Sequence, residues 1–157
     1  NPMESQNSPL FKFIQKIPFF DEFTNQEKCD LIENTGIFKK YDKKGLTIIK
    51  EGEKGDSMFL VIDGLVSITR KSFEQEKEKL VVLAKLKKGS VFGEISLLSN
   101  RTRITGAITD SSLTIVMEIS KKKLEKFNPV IQGKFQTQLI ATLVRRLDDL
   151  NARMSSK

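Results

Sequence analysis

Apolar and polar positions divide the chain into three stretches of different period. Between Pro9 and Lys16, Leu10, Phe11, Phe13 and Ile14, followed by Ile17, form a dense apolar set suited to packing on another element. Pro18 stops that segment, because proline cannot continue the helical hydrogen-bond ladder. Thr24-Asn25-Gln26-Glu27 reads as a capping box and predicts a helix from Asn25 to about Asn34, with Gly36 just past its end. Between Phe38 and Ile119 the period changes to short β-rich runs: Leu46–Ile49, Ser57–Ile62, Leu65–Thr69, Leu80–Leu86 and Leu113–Ile119. Asp63-Gly64 predicts a two-residue hairpin turn, and Lys71–Lys79 reads as a charged, exposed hairpin loop. Many short strands at this spacing argue for a sandwich, jelly roll or small barrel.

After Ile119 the helical period returns. Ser120 is placed to cap a short helix through Phe127, and Asn128-Pro129 supplies a cap and a first-turn proline for a long helix to about Arg153. Leu143, Leu147, Leu150 and Met154 form one apolar seam on it. The order is helices, β-roll, helices, with no internal repeat.

Composition removes whole classes of chemistry. The chain has no histidine, which excludes Ser-His-Asp and Cys-His catalysis and histidine-based metal sites. Cys29 is the single cysteine; an internal disulfide is impossible, a reducing compartment fits, and the residue reads as a buried small hydrophobe. Asp148 and Asp149 are adjacent on a helix, where neighbours point apart, so they read as solvated surface. The net charge of +7 invites a nucleic-acid reading, but the lysines interleave with glutamates, as in Glu74-Gln75-Glu76-Lys77-Glu78-Lys79, and no aromatic-plus-basic pattern accompanies them. A basic surface or attraction for an anionic ligand explains the charge equally well. No apolar run approaches the roughly 20 residues of a membrane span, and nothing reads as a signal peptide.

One segment breaks the β pattern: Val91-Phe92-Gly93-Glu94-Ile95-Ser96-Leu97-Leu98, then Arg101-Thr102-Arg103-Ile104-Thr105-Gly106. A glycine after a strand opens a short helical turn, predicted over Glu94–Leu98, whose first N–H groups lack partners and attract an anion. Arg103 can grip a phosphate through two N–H donors at once, and Glu94 can hold a sugar hydroxyl. Together they suit a ligand carrying one phosphate beside a ribose. On these residues alone, a turn with a surface ion pair remains the competing reading.

The segment resembles the phosphate-binding cassette of the cyclic-nucleotide-binding family, with Phe92, Gly93, Glu94, Ile95, Ser96, Leu97, Leu98 and Arg103 in register. Gly45, Ile49, Gly52, Gly55-Asp56, Phe59, Ile62, Gly64, Val66 and Ile68 resemble the family's framework of strands and tight turns. The resemblance covers about Phe38 to the C-terminal helix. It implies an α+β fold: an eight-stranded, jelly-roll-like β-roll over 37–119, carrying the cassette at 92–105. An N-terminal helical part over 1–36 and C-terminal helices over 120–154 flank it within one domain, 1–157.

By resemblance, Glu94 takes the ribose 2′-hydroxyl, Arg103 neutralises the cyclic phosphate, and N–H groups around Glu94–Ser96 and Ile104–Thr105 complete the cage. Gly93 lets the backbone approach the ligand. Arg101 is a competing cation. Thr102 stands where the family often has proline, and Ile104 where it usually has alanine, serine or threonine. A hydroxyl there often accompanies cGMP, so isoleucine turns the expectation towards cAMP, although Thr105 lies next door and a bulky Ile104 could crowd the pocket. Arg146 and Asn151 are candidate base contacts.

The expected function is therefore a cytoplasmic receptor for cAMP, or failing that cGMP, with no catalysis, metal or cofactor, whose C-terminal helices move on binding. Leu143-Val144-Arg145-Arg146-Leu147 resembles the start of the helix that, in the bacterial transcription-factor branch, forms a dimer seam and leads to a DNA-binding domain. This chain stops at Lys157, so DNA binding by it alone is not expected. The seam either packs back on the β-roll, the preferred reading, or pairs with a second copy. The competing functions are a fragment of a transcription regulator, a metal-dependent jelly-roll enzyme, and a domain serving only protein interaction; a downstream protein partner is left unnamed.

Overall fold

The computed structural model describes residues 6–34, 36–94 and 101–155. At the N-terminus the Pro18 stop and the Thr24 capping box fold as read, and Ser8 adds a cap that the sequence reading did not name. In α1 (Pro9–Gln15) the Ser8 hydroxyl accepts from the Phe11 N–H at 3.1 Å, and Pro18 begins a single 3-10 turn, Pro18–Phe20. The capping box forms at α2 (Asn25–Glu33): Glu27 N–H donates to Thr24 Oγ1, and Thr24 N–H donates to Glu27 Oε1 at 2.8 Å. Glu27 also accepts Lys134 Nζ from the C-terminal helix, tying the two ends together. Burial raises the Glu27 carboxyl, but these bonds outweigh it and leave the group below the usual glutamate range.

Eight antiparallel strands follow, in two four-stranded sheets. β1 (Phe38–Tyr41), β8 (Thr114–Ser120), β3 (Ser57–Asp63) and β6 (Val91–Phe92) form one, in that order. β2 (Thr47–Ile49), β7 (Gly106–Thr109), β4 (Val66–Glu74) and β5 (Lys77–Leu86) form the other. This is the α+β roll expected, with β1, β6 and β7 added to the strands visible in the sequence.

Two local readings are corrected. Asp63-Gly64 is not a hairpin, because β3 and β4 lie in different sheets. Gly64 does take a positive φ of 84°, but it carries the chain across between sheets, close enough that a Cβ would lie 2.3 Å from the Leu113 carbonyl. Lys71–Lys79 is not a loop but the far end of a ladder: β4 and β5 pair from Val66↔Leu86 to Glu74↔Lys77. The turn is only Gln75-Glu76, with φ of 49° and 64°, the left-handed pair that a two-residue hairpin demands. Neither residue is glycine, so the turn signal was hidden. β5 has one extra residue near Leu83, where the register with β4 shifts, and Leu80 to Leu83 are all substantially exposed.

β3 is buried along almost its whole length because it serves two cores. Its even positions Met58, Leu60 and Ile62 join Met117 and Ile119 of β8 in a cluster under the helices. The odd positions Phe59 and Val61 join Val116, Phe92 and Ile49 in a smaller cluster between the sheets. This is the period of two applied to a strand covered on both sides.

Ser120 caps α3 (Lys121–Leu124), and Asn128 Oδ1 accepts from Ile131 N–H at 3.0 Å to open the 27-residue α4 (Pro129–Ser155). Ile131, Phe135 and Leu139 bury one face of α4, with the Phe135 ring 5.5 Å from Phe19 and 5.4 Å from Phe23. Each such side chain is worth about 1.5–3 kcal/mol, so the first half of α4 is firmly seated. The second half differs. Leu143 packs against the core, but Leu147, Leu150 and Met154 are exposed, as is Val144 beside them. Past Leu143 the apolar seam does not pack back on the roll, which corrects the preferred reading: its side chains there face away from the core. Among the described residues, no helix is long and apolar enough to cross a membrane.

Candidate functional site

A cavity of about 340 Å³ opens beside the smaller core. Ile49, Ile68 and Leu86 give it an apolar wall, β6 and Gly93-Glu94 form one edge, 101–105 the other, and Arg146 of α4 reaches in. Its size falls within the range of small-molecule sites. Two buried charged groups belong to it, Glu94 and Arg103, 8% and 9% exposed.

The position of Arg103 follows from the chain around it. Its backbone is pinned to the turn before β3: Arg103 N–H donates to Glu53 C=O, and Gly52 N–H to Arg103 C=O, both at 2.8 Å. The side chain runs inward, where Nη1 donates to Gly93 C=O at 3.1 Å and Nη2 to Ser57 C=O at 2.8 Å and Ser57 Oγ at 3.4 Å. The guanidinium lies 5.6 Å from the centre of the Phe59 ring, itself stacked on Phe92 at 5.1 Å. Burial pulls its pKa down, and the carboxylates of Glu118, Asp56 and Glu94 oppose that; arginine remains a cation here. These three bonds engage Nη1 and Nη2 of the guanidinium.

Two glycines make room for it. A Cβ at Gly55 would lie 2.2 Å from Arg103 Nε, and one at Gly93 would lie 2.7 Å from Nη1. Gly93 also has a φ of 71°. A side chain at Gly93 would therefore meet the arginine. Gly55 has no positive φ, so Gly55→Ala acts through the guanidinium alone. The expected result is overpacking of about 1–3 kcal/mol and a displaced Arg103, read as a lower melting temperature with weakened nucleotide binding.

Glu94 faces the same cavity and pairs with Arg146 Nη1, while Arg146 Nη2 donates to Val91 C=O. Arg146, a candidate from the sequence, is therefore brought to the pocket, where its side chain is 44% exposed. Asn151 is exposed on α4 and is not among the lining residues. Arg101, Thr102 and Thr105 line the cavity, and Ile104 does so at its rim, 75% exposed, standing clear of the interior. Phe92 is buried in the wall. Ile95, Ser96, Leu97 and Leu98, with the helical turn expected there, lie outside the described residues. Sequence reasoning missed Ser57, Glu118, Leu86 and Ile68. The last two are ordinary strand hydrophobes, and nothing local marks them.

The family model described as cyclic nucleotide-binding domain matches residues 39–128. The chain belongs to the cyclic nucleotide-binding domain family. It is a regulatory module of that class, not a catalytic one.

Similar proteins include the cAMP-dependent protein kinase regulatory subunit of Mycosarcoma maydis, 29% identical over 67% of this chain and 20% of that protein. The type I-alpha regulatory subunit of Mesocricetus auratus is 27% identical over 63% of this chain and 55% of its own length. A cGMP-dependent protein kinase of Caenorhabditis briggsae is 28% identical over 89% of this chain and 19% of that protein. The chain thus spans only part of each of these relatives.

Among solved structures, a cyclic nucleotide-binding domain from Methylobacillus flagellatus aligns with a TM-score of 0.70 at 20% identity, covering 99% of this chain and 84% of that one. The catabolite activator protein of Thermus thermophilus aligns at 0.64 and 22%, covering 88% and 62%. These likenesses establish the fold.

Proposed function

We propose that this domain binds cAMP in the cavity between β6 and the 101–105 segment and passes occupancy to α4. Arg103 meets the cyclic phosphate, with Arg101 a second cation at the mouth. Glu94 accepts from the ribose 2′-hydroxyl, and N–H groups around Glu94–Ser96 and Ile104–Thr105 complete the cage. The observation that carries the reading is one cavity faced by a buried arginine, a buried glutamate and an arginine from the C-terminal helix. The cation suits the phosphate, the carboxylate suits a hydroxyl donor, and the apolar wall of Ile68 and Leu86 suits a base.

The lean towards cAMP rests on Ile104, which offers no hydroxyl at a position where one often accompanies cGMP. Because Glu94 already holds Arg146, a ribose hydroxyl competes with or joins that pair, and the population of α4 positions shifts. Cys29, the single cysteine of the sequence, is buried and fits action in a reducing, cytoplasmic compartment.

Calorimetric titration of the unaltered domain with cAMP and with cGMP tests this. The expected result is a dissociation constant of about 1 μM or lower for cAMP and weaker binding of cGMP. Tighter cGMP binding would overturn the base preference, and no heat or thermal shift with either would overturn the receptor reading.

A further inference from the structure

Glu118 occupies a position on β8 that alternation reserves for an apolar residue. Val116, two residues before it, faces the core between the sheets, while Met117 and Ile119 face the other core. Glu118 thus sends a carboxylate towards the smaller core. It is compensated there by two donors: Lys39 Nζ from β1 at 2.5 Å and the Ser57 hydroxyl from β3 at 2.9 Å. The register explains the second contact. Phe59 pairs with Glu118 and Ser57 with Ser120, so Ser57 and Glu118 are diagonal neighbours on one face. Burial raises the Glu118 carboxyl, but the bonds from Lys39 and Ser57 and the charges of Lys39 and Lys123 outweigh it, so the group sits below the usual range.

Donor and acceptor polarity then runs one way along the chain of contacts. Lysine only donates, and an ionised carboxylate only accepts. The Ser57 hydroxyl hydrogen is therefore committed to Glu118, which leaves its oxygen lone pairs to accept from Arg103 Nη2. A glutamine at 118 would turn its carbonyl to Lys39 and its amide to Ser57. The serine would then accept from that amide and turn its own hydrogen towards Arg103.

We infer that Glu118 is a positioning residue for Arg103, acting through Ser57 and oriented by Lys39, and that it sets how strongly the site grips an anionic ligand. The inference rests on the reading of Arg103 as the phosphate contact.

The experiment is calorimetry with cAMP and cGMP on the unaltered domain, Glu118→Gln, Ser57→Ala and the double variant, each checked for folding by thermal melting. Loss of a polar group that orients a ligand-binding residue weakens affinity by about tenfold, the effect expected of Glu118→Gln. Coupled sites are non-additive, so the Glu118→Gln effect should shrink to less than about twofold in the Ser57→Ala background. A purely structural role for Glu118 would leave the two effects additive. Ser57→Ala keeps the Lys39–Glu118 pair and supplies the test alone if Glu118→Gln does not fold; its expected loss is about three- to tenfold.

A domain that binds nucleotide and loses none of that affinity in Glu118→Gln or in Ser57→Ala overturns this inference and leaves the receptor reading standing. So do additive effects. Absence of binding by the unaltered domain overturns the receptor reading, and this inference with it.

Discussion

Replacing Arg103 by alanine is expected to weaken cyclic-nucleotide binding at least about 30-fold, because truncating one partner of a desolvated charge pair costs about 2–5 kcal/mol or more. The variant also leaves the Gly93 and Ser57 carbonyls without this donor, at about 1–3 kcal/mol for each group that stays unsatisfied, so a lower melting temperature accompanies the loss. Arg103→Lys separates the two effects. It keeps a cation but not the fork that reaches two carbonyls, and should melt closer to the unaltered domain while still binding weakly. A second check lies in Gly55, whose missing Cβ makes room for the guanidinium. In the Arg103→Ala background the crowding is gone, so Gly55→Ala should add no further loss. Calorimetry and thermal melting read both, and near-normal affinity in Arg103→Ala would remove this arginine from the ligand site.

Arg146→Ala is the second large effect, and it is one of dynamics. Beyond Leu143 the apolar side chains of α4 are exposed, and the Arg146 bonds to Glu94 and the Val91 carbonyl tie that half to the roll. Glu94 is nearly buried while Arg146 is 44% exposed, so solvent screens the pair, and its worth is at the lower end for ion pairs. Removing it should speed amide exchange over 146–155 about tenfold while leaving exchange in β3 and β8 unchanged. Ligand should alter α4 exchange in the unaltered domain and fail to do so in the variant. Unchanged exchange in Arg146→Ala would mean that the distal half is held by something other than this pair.

The parts of the fold that are legible in the sequence are those decided within four residues. Thr24, Ser120 and Asn128 each cap a helix through a bond to the third residue on, and each sits where the sequence places it. Elements decided by distant pairing were missed. β6 is only Val91–Phe92, too short to show a period, and β1, Phe38-Lys39-Lys40-Tyr41, shows the exposed inner pair of an edge strand. Asp63-Gly64 signals a positive φ correctly but not which sheet the next strand joins, since that depends on partners far along the chain. Arg103 and Glu94 were legible through the resemblance of their segment to the family's phosphate-binding cassette. Ser57 and Glu118 lie 61 residues apart, and only the β3–β8 register brings them together. The one available signal was a charge at an inward position of β8.

The two halves of α4 also set a mechanical ratio. Leu143 is the last side chain seated on the core, Arg146 lies about 4.5 Å further along the axis, and Ser155 about 18 Å, at 1.5 Å per residue. A tilt of about 10° pivoting at Leu143 moves Arg146 by roughly 0.8 Å, enough to spoil a hydrogen bond, and carries Ser155 about 3 Å. A partner touching the far end of this helix would experience any tilt at Arg146 multiplied about fourfold, with no second moving part.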